Sequence, residues 1–267
     1  MVPDLTGTPI ADLVSLKGRT AVVTGSAAGV GATIAERLAE AGANVVIADR
    51  DKDAAQAQAD AMTARNWSAL AVAADVTAPA EVAALADAAV ERFGSLDIWV
   101  NNAGAYPSSP LMDITDAQWD RVLELNLRGT FTGAREAARR MIDAQRPGVI
   151  INISSTAAFT VGGGNAAHYV ASKHGVAGLT KSLAVELGPL GIRALSVAPT
   201  LTETPGVAYK REAENLGDVL DDYGSQLPLG RIGRPDDIAR VVLFAASDLA
   251  AFVTGVVLPV DGGDLAA

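Results

Sequence analysis

The chain has 267 residues, 49% of them hydrophobic and 19% charged, which suffices for a sizeable core in one soluble α/β domain. Its 21 Lys and Arg against 31 Asp and Glu give a formal charge of −10, which repels a phosphate backbone or an anionic lipid surface and makes nucleic acid and membrane poor partners. Cysteine is absent, which excludes disulfides, thiolate catalysis and zinc–thiolate sites, and two histidines, His168 and His174, leave little for a metal. The first 16 residues carry no Lys or Arg and no sustained apolar run, and no segment approaches the ~18 consecutive apolar residues of a membrane span. The expectation is a cytoplasmic protein.

Residues 20–24, Thr-Ala-Val-Val-Thr, form a short β-rich run that stops at glycine, and residues 30–41 place Val30, Ile34, Leu38 and Ala41 on one helical face. Further strands are expected at 44–48, 69–73, 97–100, 149–153, 193–198 and 256–260, and helices at 53–63, 81–93, roughly 116–144, 169–187 and 235–246. Thr115-Asp-Ala-Gln118 reads as a capping box, Gly188-Pro189 as a helix stop, and Arg234-Pro235-Asp236-Asp237 as a helix start. Strands alternating with helices over the whole length predict a single α/β domain spanning 1–267, with a doubly wound parallel sheet and helices on both faces. The least patterned segment, 200–233, is expected to be a substrate lid with some helix of its own.

Two stretches carry chemistry. Gly25-Ser-Ala-Ala28-Gly29-Val30-Gly31 lies between a strand and a helix, where backbone N–H groups and the helix dipole face a pyrophosphate. Asp49 follows at the end of the second strand, placed to accept from ribose hydroxyls and to repel a 2′-phosphate, which favours NAD over NADP. Arg50 beside it is the one residue that argues the other way. Tyr169 and Lys173 lie one helical turn apart on one face, where an ammonium favours the phenolate and draws its pKa toward working range. Tyrosine and lysine also meet at this spacing by chance on half-exposed helices.

Taken together, Thr24-Gly25-x-x-x-Gly29-x-Gly31, Asp75-Val76, Asn101-Asn102-Ala103-Gly104, Asn126, Ile153-Ser154-Ser155, Tyr169-x-x-x-Lys173 and Val260-Asp261-Gly262-Gly263 resemble the short-chain dehydrogenase/reductases over nearly the whole chain. The resemblance implies a Rossmann-like domain with a seven-stranded parallel sheet, a nicotinamide cofactor, a small-molecule alcohol or ketone substrate, and a homotetramer. It implies that Asp75 and Val76 border the adenine, that Asn102, Ala103 and Gly104 line the path to the nicotinamide, and that Thr202 and Thr204 hold the carboxamide. It further assigns Tyr169 as general acid/base, Lys173 to the nicotinamide ribose and to lowering the tyrosine pKa, Ser155 to the reacting oxygen, and Asn126 to a water of a proton relay.

Two departures stand out. Ser155 lies 14 residues before Tyr169 where the family commonly has 13, which leaves Ser154 and Thr156 as lesser candidates and makes Gly162-Gly163-Gly164-Asn165 the place to absorb the extra residue. Thr200 follows Pro199 where the family usually has glycine. The function expected is hydride transfer between NAD(H) and a secondary alcohol or ketone. The alternatives are a dehydratase or epimerase that oxidises its substrate transiently, and a non-catalytic dinucleotide sensor. Around the pocket, Phe159, Tyr209, Lys210, Arg211, Leu216, Leu220, Tyr223 and Leu227 are candidate lining residues, and His168 either joins them or faces solvent. Trp67 and Trp119 are expected to pack on helix flanks and Trp99 in the core.

Overall fold

Short β-branched runs that are apolar on both sides have to be buried on both faces, and seven of them form one sheet in the computed structural model, which describes residues 4–161, 164–213 and 216–267. The strands are β1 (Thr20–Thr24), β2 (Asn44–Asp49), β3 (Ala69–Ala73), β4 (Ile98–Asn101), β5 (Gly148–Ile153), β6 (Ile192–Pro199) and β7 (Val257–Val260). Their order is β3-β2-β1-β4-β5-β6-β7 and every pairing is parallel. The order in which strands are added reverses between β1 and β4, so the connections from their carboxyl ends leave to opposite sides and open a crevice there.

Alternate side chains along each strand feed two cores. On one face Val23, Val45 and Ile47 pack with Ile34 and Leu38 of α2 (Gly29–Glu40), Ala55, Ala59 and Met62 of α3 (Lys52–Thr63), and Ile238 and Val242 of a helix at Pro235–Ala246. On the other, Val22, Val46 and Ile150 meet Val82 and Leu85 of a helix at Pro79–Phe93, Ala137 and Met141 of one at Gly129–Asp143, and Ala184 and Leu187 of one at Ala167–Leu187. In chain order α1 is the short helix Ile10–Val14, α4 is 79–93, α5 is Asp116–Leu123, α6 is 129–143, α7 is 167–187, α8 is Pro205–Ala213, α9 is Gly217–Gln226 and α10 is 235–246. The rigid parts of this frame are the strand ends, and they carry the site.

Most boundaries fall within one or two residues of those read from the sequence. The helix expected at 116–144 is interrupted by one wide, π-type turn at Glu124–Arg128, and Asn126 lies buried inside it. There the Thr130 hydroxyl donates to the Asn126 carbonyl at 2.8 Å, a second claim on an oxygen of the helical ladder. The capping box at Thr115 is complete: the Thr115 hydroxyl accepts from the Gln118 N–H at 3.2 Å and the Gln118 amide oxygen from the Thr115 N–H at 2.9 Å. Asp237 accepts from the Arg234 N–H at 2.8 Å at the start of α10, and that bond together with Arg231 lowers its carboxyl pKa to about 2. The segment 200–233 carries α8 and α9. Trp99 is fully buried, Trp67 packs against the first core, and Trp119 on α5 is 37% exposed.

Gly133 of α6 packs directly on the sheet: an added Cβ would overlap the Asn101 side-chain oxygen and lie 2.7 Å from the Trp99 indole nitrogen. Those two groups are themselves hydrogen-bonded at 2.7 Å, and neither is at the free end of a flexible chain. Gly133→Ala should therefore destabilise the fold by at least about 2 kcal/mol despite its better helix propensity, as read from urea unfolding. An unchanged or raised midpoint would show that the helix can shift away at no cost.

Candidate active site

The crevice begins at the glycine turn. Gly25 and Gly29 have φ of 64° and 61°, in the left-handed region that favours glycine. A Cβ on Gly25 would lie 2.8 Å from Ala103 Cα, and one on Gly31 would overlap the Gly25 carbonyl oxygen. Helix α2 is preceded by Ala28 at its N-cap, which offers no side-chain cap, so its first amides have no side-chain partner. A turn that excludes side chains and ends in an uncapped helix N-terminus fits a dinucleotide pyrophosphate. Asn102 holds this turn from the far side: its amide nitrogen donates to the carbonyls of Thr24 and Gly25, each at 2.9 Å.

A cavity of about 780 Å³ runs from Gly25, Asp49 and Arg50 past Asp75 and Val76 to Asn102, Ala103, Gly104 and His168. One Asp49 carboxylate oxygen accepts from the Ala27 N–H at 3.2 Å and the other from the Asp51 N–H at 3.1 Å, which holds the carboxylate beside the turn. The Arg50 guanidinium acts on Asp75, whose pKa is lowered first by bonds from the Thr77 N–H and hydroxyl and, more weakly, by Arg50.

A second cavity of about 630 Å³ shares Asn102, Gly104 and Ala105 with the first, so the two are parts of one cleft. It is lined by Val30, Ser155, Tyr169, Lys173, Thr202 and Thr204 among others. The Tyr169 phenol and the Ser155 hydroxyl face the same cavity, close enough for the hydroxyl to act on the phenol. Burial raises the phenol pKa above the ordinary tyrosine value, and the Ser155 hydroxyl opposes that. Lys173 Nζ is 5.6 Å from the centre of the Tyr169 ring and donates to the Ile153 carbonyl at 2.9 Å, and burial lowers its pKa to about 8. The expected lowering of the phenol pKa by Lys173 is not what governs it here; desolvation is.

Ser155 is the serine that reaches the tyrosine. Ser154 instead donates to the Lys173 carbonyl at 3.4 Å, and Thr156 starts a single 3₁₀ turn. In the stretch expected to absorb the extra residue, Gly164 and Asn165 both take positive φ, at 84° and 54°, while Gly162 and Gly163 lie outside the described residues, as does the Lys210 side chain. Asn126 is occupied as a clamp: its oxygen accepts from the Ala105 N–H and its nitrogen donates to the Ala105 carbonyl, both at 2.9 Å, and to the Ser172 hydroxyl at 3.2 Å. Thr202 donates its hydroxyl to the Thr200 carbonyl at 2.9 Å, and the Thr204 hydroxyl accepts from the Val207 N–H at 3.3 Å. His168 is buried inside α7, its ring nitrogen accepting from the Tyr169 N–H at 3.0 Å, so the solvent-facing position is not the one it takes.

Two residues on the second cavity escaped the sequence reading. Tyr106 packs its ring edge-on against Tyr169, with centroids 4.6 Å apart and planes at 70°. Asp264 turns into the cavity three residues after Asp261. Their signals were adjacency to Asn102-Ala103-Gly104 and to the Asp261-Gly262-Gly263 turn, which locate a residue near the site without fixing its direction. No group of three or more His, Asp or Glu side chains that would hold a metal occurs among the described residues, and no helix among them is long and apolar enough to cross a membrane.

Residues 25–264 match the family described as enoyl-(acyl carrier protein) reductase. The chain is 42% identical over 251 residues to 3beta-hydroxysteroid dehydrogenase 1 of Eggerthella lenta, covering 93% of this chain and 94% of that one. It is 44% identical over 249 residues to cis-4-hydroxycyclohexanecarboxylate dehydrogenase of Sinomonas cyclohexanicum, covering 92% and 96%. Among solved structures, a short-chain type dehydrogenase/reductase from Mycobacterium marinum superposes with a TM-score of 0.89 at 35% identity, covering 96% of this chain and 98% of that one. A 7α-hydroxysteroid dehydrogenase complexed with NADH and 7-oxo glycochenodeoxycholic acid gives 0.87 at 35% identity, covering 95% and 96%.

The buried lysine gives a pH test that needs no cofactor. Its pKa falls from 10.5 to about 8 on folding, so between those values the unfolded chain binds more protons than the folded one. Relative to Lys173→Met, wild type should gain stability as pH rises from 8 to 10.5, by up to about 3 kcal/mol, while below pH 8 the difference stays constant. Urea unfolding of both proteins at pH 7 and pH 10 measures it. A difference that does not change with pH would place the ammonium in water.

Proposed function

We propose a function on the premise that the chain belongs to the short-chain dehydrogenase/reductase family and is, like its relatives, a nicotinamide-dependent oxidoreductase that transfers hydride. The nicotinamide, when bound, accepts or gives up the hydride. The observation that carries the reading is the hydroxyl pair Tyr169 and Ser155 on a cavity that also contains Lys173 and runs on to the glycine turn. Tyr169 takes the proton from a secondary alcohol, or returns it to a ketone, at the substrate oxygen. Ser155 donates to that oxygen as charge grows on it. Lys173, which donates to the Ile153 carbonyl, would hold the nicotinamide ribose, and a positive charge there would favour the phenolate. Asn126 positions the loop at Ala105, next to the relay it would serve.

Gly25, Ala28, Gly29, Val30 and Gly31 would hold the pyrophosphate, Asp75 and Val76 the adenine, Asn102, Ala103 and Gly104 the passage to the nicotinamide, and Thr202 and Thr204 the carboxamide. NAD is the preferred cofactor in this reading, because the Asp49 carboxylate is held beside the turn, where it would accept from ribose hydroxyls and repel a 2′-phosphate. The segment 200–233 acts as a lid: Pro205 of α8 lies 3.5 Å from where a Gly29 Cβ would be, so α8 already borders the cofactor groove. The substrate is a ring-bearing secondary alcohol or ketone, since Tyr106, Val161, Val170, Leu201 and Val207 give the second cavity broad apolar walls and two relatives act on alicyclic alcohols by name. A cytoplasmic location and a homotetramer complete the proposal, the assembly supported by the exposed apolar side chains of Val185, Phe252 and Val256.

A panel of alicyclic alcohols and ketones, followed by nicotinamide absorbance with NAD and NADP in parallel, tests reaction and cofactor together. NAD should be preferred by at least about tenfold, the size of a 1.4 kcal/mol difference, and Asp49→Ser should narrow that preference; a strong NADP preference in wild type defeats the assignment of Asp49. Tyr169→Phe should lower kcat by a factor of about 10² to 10⁴ with NADH affinity nearly unchanged. A near wild-type rate in that variant would remove Tyr169 from the proton transfer.

A further inference from the structure

The second cavity has a polar wall that hydride transfer does not use. Thr200 follows β6, Tyr223 projects from α9, and Asp264 comes from the C-terminal tail, and all three line the cavity with Tyr169 and Ser155. Their oxygens meet closely: the Thr200 hydroxyl is 2.6 Å and the Tyr223 hydroxyl 3.0 Å from the same oxygen of Asp264, Oδ2, and the two hydroxyls are 2.8 Å apart. Burial, and after it Asp264, holds the Tyr223 phenol above the ordinary tyrosine pKa, so it keeps its proton at neutral pH. Three close oxygen pairs are then served by two hydroxyl protons, since an ionised carboxylate only accepts. The cluster is one donor short.

The other carboxylate oxygen, Oδ1, has no hydrogen-bond partner among the described residues. The tail that carries it is pinned. Gly262 and Gly263 take φ of 62° and 94°, and a Cβ on Gly263 would lie 2.7 Å from Pro228. The Asp261 carboxylate accepts from the Gly263 and Leu265 N–H groups, each at 3.0 Å, on either side of Asp264. Asp264 is thus a fixed, half-buried acid. The charged side chains on the cavity wall are Asp264 and Lys173, and Lys173 is engaged at the Ile153 carbonyl. A glycine at position 200, as the family pattern leads one to expect, would leave Oδ2 without one of its two donors.

We propose that Asp264, steadied by Thr200 and Tyr223, is a specificity-determining residue that takes a hydrogen-bond donor, a hydroxyl or an ammonium, carried by the substrate in addition to its reacting alcohol or ketone. Substrates with a carboxylate in that place are rejected, because two carboxylates would share one partly desolvated wall. The proposal rests on the alcohol–ketone reading for the identity of the cavity, and its test separates the two.

The probes are trans-4-aminocyclohexanol, cyclohexane-1,4-diol and 4-hydroxycyclohexanecarboxylate. Their binding is measured by calorimetry at pH 7 on the enzyme saturated with reduced cofactor, which cannot oxidise an alcohol, and their kcat/KM is measured separately with NAD. Wild type should bind the amino alcohol at least tenfold more tightly than the hydroxy acid, with the diol between them. The nearly isosteric Asp264→Asn should reduce that ratio at least tenfold, and Tyr223→Phe should reduce it less. Equal binding of amine and acid by wild type, or a ratio unaltered in Asp264→Asn, overturns the proposal; the wild-type ratio alone decides it should the variant fail to fold. If the amine preference holds and depends on Asp264 while none of the alcohols is oxidised, the recognition site stands and the alcohol–ketone reading falls. Oxidation without selectivity overturns the recognition site and leaves the alcohol–ketone reading standing.

Discussion

The whole site hangs on one cross-link at the carboxyl ends of β1 and β4. Thr24 donates its hydroxyl to the Val100 carbonyl at 3.3 Å while accepting from the N–H groups of Asn102 and Ala103 at 3.0 and 3.1 Å, and Asn102 answers with its amide on the Thr24 and Gly25 carbonyls. These are the two strands on either side of the point where the strand order reverses, so the cross-link ties together loops that leave to opposite sides. The glycine turn can be free of side chains and still rigid because its carbonyls are held from outside. A second lock of the same kind secures the next stretch of loop, where Asn126 pairs with both polar atoms of the Ala105 backbone. Tyr106, the next residue, is thereby set against Tyr169, and the aromatic edge beside the phenol becomes a consequence of two asparagine clamps.

The wide turn at Glu124–Arg128 belongs to the same design. A regular helix from Asp116 to Asp143 would carry Asn126 round with its neighbours at 100° per residue. The extra width of the turn lets that side chain face the loop at Ala105 while α6 keeps its Gly133 face on Trp99 and Asn101. Burial makes each of these polar contacts worth more than it would be in water, and makes each one costly to leave half made.

Much of this was legible beforehand. Strands alternating with helices implied a parallel sheet, and the position of Gly25 to Gly31 between a strand and a helix marked a tight glycine turn, because both features depend only on local period and steric freedom. The split of the long helix was not legible, since π-type geometry arises from where the Asn126 carbonyl and the Thr130 hydroxyl meet in three dimensions. Nor was the company kept by Asn126 and His168: a lone histidine before a tyrosine looks the same in sequence whether its ring faces solvent or closes back on the Tyr169 N–H. Asp264 was invisible for a related reason. Its meaning comes from Thr200 and Tyr223, 64 and 41 positions away in the chain.

Electrostatics explain why the cleft should depend on its ligands for its working state. Without them, burial pushes both titrating groups toward neutrality, Tyr169 upward and Lys173 down to about 8. A neutral phenol is a poor base, and the amine, at about 8, still carries most of its positive charge at pH 7 but holds it by a narrow margin. A hydroxyl-rich ribose beside Lys173 would replace part of the hydration that burial removes and favour the ammonium, and each positive charge brought near the phenol then lowers the cost of deprotonating it. Asp264 faces the same cavity with the opposite sign and draws a donor toward its own wall, away from the hydroxyl pair of Ser155 and Tyr169. Opposed charges on two walls of one apolar chamber orient a bifunctional substrate before any bond is made or broken, and orientation of that kind is a large part of what a site of this size can contribute to rate.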